Sequence, residues 1–112
     1  MKKIDFKLEK NNDIVIYERN IHSINTKNKT TFIINGIKYT YENNIFKRET
    51  DEELIEINFD LEKCTITLKE QKVSLNLNIK VIENKKTDNE ILLKYKIETE
   101  ENIINKITIK YI

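Results

Sequence analysis

Arg48 is the residue in this chain whose type disturbs its own pattern. In the stretch TTFIINGIKYTYENNIFKRE, apolar and polar residues alternate. Pairing Phe46 with Tyr41 sets Arg48 opposite Tyr39, on the apolar face. A guanidinium there needs a carboxylate, an aromatic face or a ligand anion, because an unpaired buried charge is strongly destabilising. One reading puts Arg48 at a strand end, reaching solvent or a loop carboxylate such as Glu49 or Asp51. The functional reading makes Arg48, Tyr39 and Tyr41 the polar end of a pocket for an anionic amphiphile, with Leu77 and Tyr95 on its apolar wall.

Other chemistry finds little support. The single glycine, Gly36, excludes a phosphate-cradling loop, a dinucleotide fingerprint and the usual calcium loop. One histidine and one cysteine do not make a structural zinc site, so no metal and no cofactor is expected. Cys64 has inward parity beside Phe59 and Leu77 and reads as a core thiol; His22 reads as a loop residue. The acidic group Glu49, Asp51, Glu52 and Glu53 reads as a solvated loop, with Thr50 to Glu53 also fitting a capping box. Lys80, Lys94, Lys96, Lys106 and Lys110 share outward parity. Nucleic-acid platforms on sheets also expose aromatics, whereas Tyr95 and Tyr111 have the opposite parity. The pattern therefore argues against nucleic acid and for a solvated face. No enzymatic activity is expected.

These residues are positioned by strands. Short alternating runs recur between polar breaks, the mark of an antiparallel all-β domain, and no amphipathic helix stands out. Asn35-Gly36 fits a two-residue type I′ turn that pairs Ile34 with Ile37, Phe32 with Tyr39 and Thr30 with Tyr41. A loop from Glu42 to Ile45 then sets Phe46 against Tyr41. Loop Asp60 to Lys63 sets Phe59 against Cys64, Ile57 against Ile66 and Ile55 against Leu68. Loop Lys69 to Lys72 sets Leu68 against Val73, Ile66 against Leu75 and Cys64 against Leu77.

The run VSLNLNIKV (73–81) has one apolar face, expected to point inward. With IENKKTDNE as a loop, Ile79 meets Leu93 and Leu77 meets Tyr95. A last loop, Glu98 to Asn102, lets Ile97 meet Ile103, Leu93 meet Ile107 and Ile91 meet Ile109. Near the start, Ile4, Phe6 and Leu8 form one run and residues 14 to 20 another, around the turn KNND. Either Ile14/Ile16 or Val15/Tyr17 faces inward. His22 to Lys29 reads as loop.

Eight to ten strands in a simple meander, with no helix to cover them, close best as an up-and-down β-barrel, which removes the sheet edges. One domain over residues 1–112 is expected from the length. The interior list of Ile, Leu, Val, Phe and Tyr, without Ala, leans towards a filled barrel.

Lys+Arg is 20 and Asp+Glu 19, so the net charge of +1 gives no composition-level case for nucleic acid or anionic membrane. The wealth of Ile, Lys and Asn fits an A/T-rich, bacterial coding background. The N-terminus MKKIDFKLEK lacks the apolar stretch of a secretory signal, and the cytoplasm is the expected compartment.

The run from Phe46-Lys47-Arg48 through INF, ITLKE, VSLNLNIKV, ILLKYKIE and ITIKY resembles the YwiB-like family. These are small bacterial proteins of unknown function with a calycin-type, lipocalin-like β-barrel. The resemblance implies that fold and, the family having no established activity, says almost nothing about function. The chain departs from the pattern before ITLKE, where Leu61-Glu62-Lys63 stands in place of a turn glycine. The function that fits best is binding of a small apolar or amphipathic anionic ligand. A filled barrel acting as a protein-interaction module is the alternative, nucleic-acid contact through the outward lysine stripe is a weaker third option, and oligomeric state is open.

Overall fold

A computed structural model describes residues 2–112 of the chain. Its ten strands are β1 (Lys2–Lys10), β2 (Asp13–Thr26), β3 (Lys29–Ile34), β4 (Ile37–Glu42), β5 (Ile45–Glu49), β6 (Glu53–Asn58), β7 (Lys63–Leu68), β8 (Val73–Lys86), β9 (Glu90–Ile97) and β10 (Asn105–Tyr111). Every strand pairs antiparallel with its sequence neighbour, and β1 pairs with β10, so the ladder closes as a β-barrel. No helix forms among the described residues.

Asparagine does the work that glycine does in most tight hairpins. Three turns have positive φ at both central positions: Asn11-Asn12 (50 and 68°), Asn35-Gly36 (51 and 79°) and Asn43-Asn44 (52 and 63°). That is the type I′ geometry whose twist matches its flanking strands, and asparagine tolerates it best after glycine. Nothing lies within 4 Å of a Cβ added to Gly36, so its φ of +79° alone asks for glycine there. Two other turns use a Thr-Asp-X-Glu corner. Thr50 Oγ1 accepts from the amides of Glu52 and Glu53 at 3.2 and 3.1 Å. Thr87 Oγ1 accepts from those of Asn89 and Glu90 at 3.3 and 3.1 Å. At residues 50–53 the capping-box pattern thus makes a turn between strands rather than a helix start.

The chain divides into two compact units, Ser23–Asn78 and Met1–His22 with Ile79–Ile112. Strands β2 and β8, each of 14 residues, contribute to both.

In the unit Ser23–Asn78, the β3–β4, β4–β5 and β7–β8 pairings are those expected from parity, with Tyr39 opposite Arg48 and Cys64 opposite Leu77. The β4–β5 turn is shorter than expected because Glu42 and Ile45 join the ladder and leave only two asparagines between them. The β6–β7 register differs: Ile57 meets Cys64 and Ile55 meets Ile66. Phe59 leaves the strand because its amide bonds to Asn44 O at 2.9 Å. Asn58 Oδ1 then accepts from the amides of Asp60 and Leu61, pulling the turn forward. The shift preserves which face each residue occupies. The expected loop His22 to Lys29 is mostly strand, since β2 runs to Thr26 and pairs Ser23 with Phe32.

In the other unit, β9 and β10 pair as expected, Leu93 with Ile107 and Ile91 with Ile109. The expected Ile97–Ile103 pair lies outside the ladder, because Ile104 bonds instead to Asn11, N to Oδ1 at 2.8 Å. The β8–β9 register is wholly different. Val81, not Leu77, faces Tyr95, and Ile79 faces Ile97 rather than Leu93. The residues expected to form the loop extend β8 to Lys86 instead, past a bulge between Val81 and Glu83, and the turn tightens around Thr87. Ile4, Phe6, Ile91, Leu93, Ile107 and Ile109 form this unit's core.

Candidate functional site

Lateral register builds the inner face of the unit Ser23–Asn78 in rows, because cross-strand neighbours on one face stand side by side. One row runs Thr30–Tyr41–Phe46–Ile57–Cys64–Leu77 across β3 to β8. The next runs Ser23–Phe32–Tyr39–Arg48–Ile55–Ile66–Leu75 across β2 to β8. At the β7–β8 end a third holds Glu53, Leu68 and Val73.

Burial changes along these rows. At the β3–β5 end the face is closed: Phe32, Tyr39, Tyr41 and Phe46 are buried. Tyr39 stacks on Phe32 with ring centroids 5.3 Å apart and planes 13° off parallel, and lies 6.0 Å from the Phe46 ring. Tyr41 donates its hydroxyl to Asn44 Oδ1 at 3.0 Å, which ties the row's edge to the β4–β5 turn. At the β7–β8 end the same face is open. Leu68 is 40% exposed and Val73 and Leu75 are each 54% exposed, while Ile55, Ile66 and Leu77 are half-buried. So the apolar face of VSLNLNIKV keeps its expected parity but is not buried at its start; of that run only Ile79 is fully covered.

Arg48 stands at the boundary between the closed and open parts. Its Nη1 donates to Glu53 Oε1 at 3.1 Å, both side chains being about a third exposed (31 and 33%). The partner is therefore Glu53, not the Glu49 or Asp51 expected from the sequence. The Thr50 corner produces this pairing, since it turns the chain so that Glu53 enters β6 on Arg48's own face. Glu49 points the other way and bonds Lys69 Nζ at 2.7 Å. That hydrogen bond, with the lysine's charge, holds the Glu49 carboxyl below the usual carboxylate range.

Of the five residues expected at a pocket, Tyr39, Tyr41 and Arg48 are brought together, with Leu77 on the same inner face at its open end. Tyr95 belongs to the other unit, where it is buried opposite Val81 and Asn105. The sequence reading missed Glu53, whose inward parity was legible from Ile55 and Ile57 but whose place in an acidic run disguised it. It also missed the exposure of Leu68, Val73 and Leu75, which no local pattern records.

Cys64 is buried, and burial raises its thiol pKa, as expected of a core cysteine. No group of three or more His, Cys, Asp or Glu residues that could hold a metal occurs among the described residues. The opposite face of this unit is polar at β7 and β8, whereas Ile24 and Ile33 stand exposed at its β2–β3 end. Thr65 bonds Asn76, Thr67 bonds Ser74, Lys63 bonds Asn78, and a shallow groove of about 350 Å³ runs over Ile45, Leu61 and Lys63.

Compared with family models, curated proteins and solved structures, the chain has no significant match.

Proposed function

We propose that the chain is a cytoplasmic, non-enzymatic ligand-binding barrel of the YwiB-like, calycin kind. Its ligand is a small apolar or amphipathic anion taken on the inner face of the unit Ser23–Asn78. One observation carries this: an apolar face that is closed over Tyr39 opens into the shelf of Leu68, Val73 and Leu75, with Arg48 at the boundary. Contiguous exposed apolar surface marks a binding surface more often than chance exposure does. A ligand tail covers the shelf, and its anionic head competes with Glu53 for the guanidinium.

The magnitudes are modest. Covering about half of a dodecanoate chain at ~0.8 kcal/mol per methylene contributes roughly 4 kcal/mol. A charge-assisted hydrogen bond to Arg48 adds about 1.5–3 kcal/mol, which puts Kd on the order of 10–100 μM. Calorimetric titration with dodecanoate tests the reading. Arg48→Met weakens binding by at least about tenfold, and Glu53→Gln, which releases the guanidinium, tightens it. Unchanged affinity in both variants sinks the proposal.

The same exposed side chains support a second reading, a protein-interaction surface. A partner would have to bury roughly 1,200 Å² or more in total to be stable. Dodecanoate failing to bind any of the three proteins turns the choice to this reading.

A further inference from the structure

We infer a second site on the outer face of the other unit: a track for single-stranded nucleic acid, with Tyr17 as its stacking platform. The observation is a juxtaposition in the register. Lys80 faces Lys96 directly across β8 and β9, and Lys94 faces Lys106 across β9 and β10. Like charges placed opposite each other destabilise a sheet. Glu9 stands across from Lys106 and Glu83 across from Lys94, which offsets that pair, whereas Lys80 and Lys96 face only each other in the ladder, a cost that an anion relieves. Lys80, Lys96, Lys106 and Lys110 make no ion pair within 4 Å among the described residues, while Lys94 reaches Glu83 only at 3.8 Å.

The track has an aromatic, which the tyrosines at 95 and 111 do not supply. Of the two parities open for β2, Tyr17 takes the outward one. It is 49% exposed, and Lys7 Nζ lies 5.3 Å from its ring centroid. Tyr17, Lys7, Lys106, Thr108 and Lys110 line a cleft of about 190 Å³ with Asp5 and Glu90 at its sides. Asp5 accepts from the Asn20 amide at 2.9 Å and lies 4.0 Å from Arg19 Nε, and Glu9 pairs with Lys7 at 3.8 Å, so each acid on the β1 side has a cation of its own beside it. Four lysines with no ion pair within 4 Å among the described residues (Lys80, Lys96, Lys106 and Lys110) and one exposed ring thus share a face. That is the combination by which single strands are held without sequence readout: charge for the phosphates, a π-face for a base.

From Lys110 along β10 to Lys106, across to Lys94, on to Lys96 and across to Lys80 the path is roughly 30 Å at ordinary strand spacings. That length suits a segment of about four or five nucleotides, the lower end of single-strand sites.

Fluorescence anisotropy with a labelled oligothymidylate of about ten nucleotides tests this. Binding near 50 mM salt is expected, with log K falling against log salt at a slope of about −3 for some four phosphates neutralised. Tyr17→Ala should weaken binding at least about fivefold and Tyr17→Phe should retain it. Lys106→Gln with Lys110→Gln should weaken it and flatten the slope. Melting curves of each variant report folding independently, and Tyr17→Phe with the lysine pair decides the matter if Tyr17→Ala melts early. No binding at low salt overturns the inference. So does binding that ignores Tyr17 and is displaced equally by inorganic polyphosphate, the signature of a bare polyanion surface.

Discussion

Glu62 shows how a single residue carries the cost of this chain's composition. It holds φ 53° at the end of the β6–β7 turn, a left-handed position that favours glycine. A left-handed conformation costs a side-chain-bearing residue about 1–2 kcal/mol, and glycine escapes most of that. Glu62→Gly should therefore raise the midpoint of thermal unfolding; an unchanged or lower midpoint would mean that the turn is not strained. Lys72, at φ 55° in the next turn, should behave alike. Glu49 provides a pH-dependent counterpart. Its carboxyl titrates lower in the folded protein than in the unfolded chain because of Lys69. The stabilisation is therefore present above the usual carboxylate range and is lost as pH falls through the lowered value of the folded protein. For so exposed a pair it is at most about 1 kcal/mol. Lys69→Met should lose it at pH 7 in urea unfolding and match the parent protein in strong acid.

At the scale of elements, parity was legible and register was only partly so. Six hairpins could be read from alternation because a one-residue slip would turn a strand inside out. A two-residue slip leaves every face unchanged, so alternation is blind to it. That is the error at β6–β7, which the Asn58 side chain decides, and the larger one at β8–β9, where ENKK extends a strand instead of looping. Thr87 fixes the second by closing its corner on Glu90. Thr87→Ala should cost about 0.5–1.5 kcal/mol in urea unfolding; no loss would show that the bulge between Val81 and Glu83 sets the register alone. The candidate site was legible to the same degree. Tyr39, Tyr41 and Arg48 came together because their hairpin was correctly registered, and Tyr95 was misplaced because its own was not.

For the whole molecule, closure of the ladder through β1 and β10 leaves no sheet edge unpaired among the described residues, so the proposed binding surfaces lie on the faces. The proposed ligand site is the shelf at β7 and β8, where Leu68, Val73 and Leu75 stand exposed on the inner face of the unit Ser23–Asn78. Exposure there is a property of the assembled fold, which is why alternation in VSLNLNIKV named the face but not its freedom. Leu75→Asp separates the two. At 54% exposure it should cost no more than about 1–2 kcal/mol of stability, half a buried leucine plus the poor strand preference of aspartate, and leave the fold intact, yet abolish dodecanoate binding. Hydrogen exchange on the intact chain, with and without dodecanoate, is the most direct measurement. Added protection in Lys63–Leu68 and Val73–Asn78, with Glu90–Ile97 and Asn105–Tyr111 unchanged, is the predicted result. Protection confined to the latter strands, or none anywhere, would contradict it.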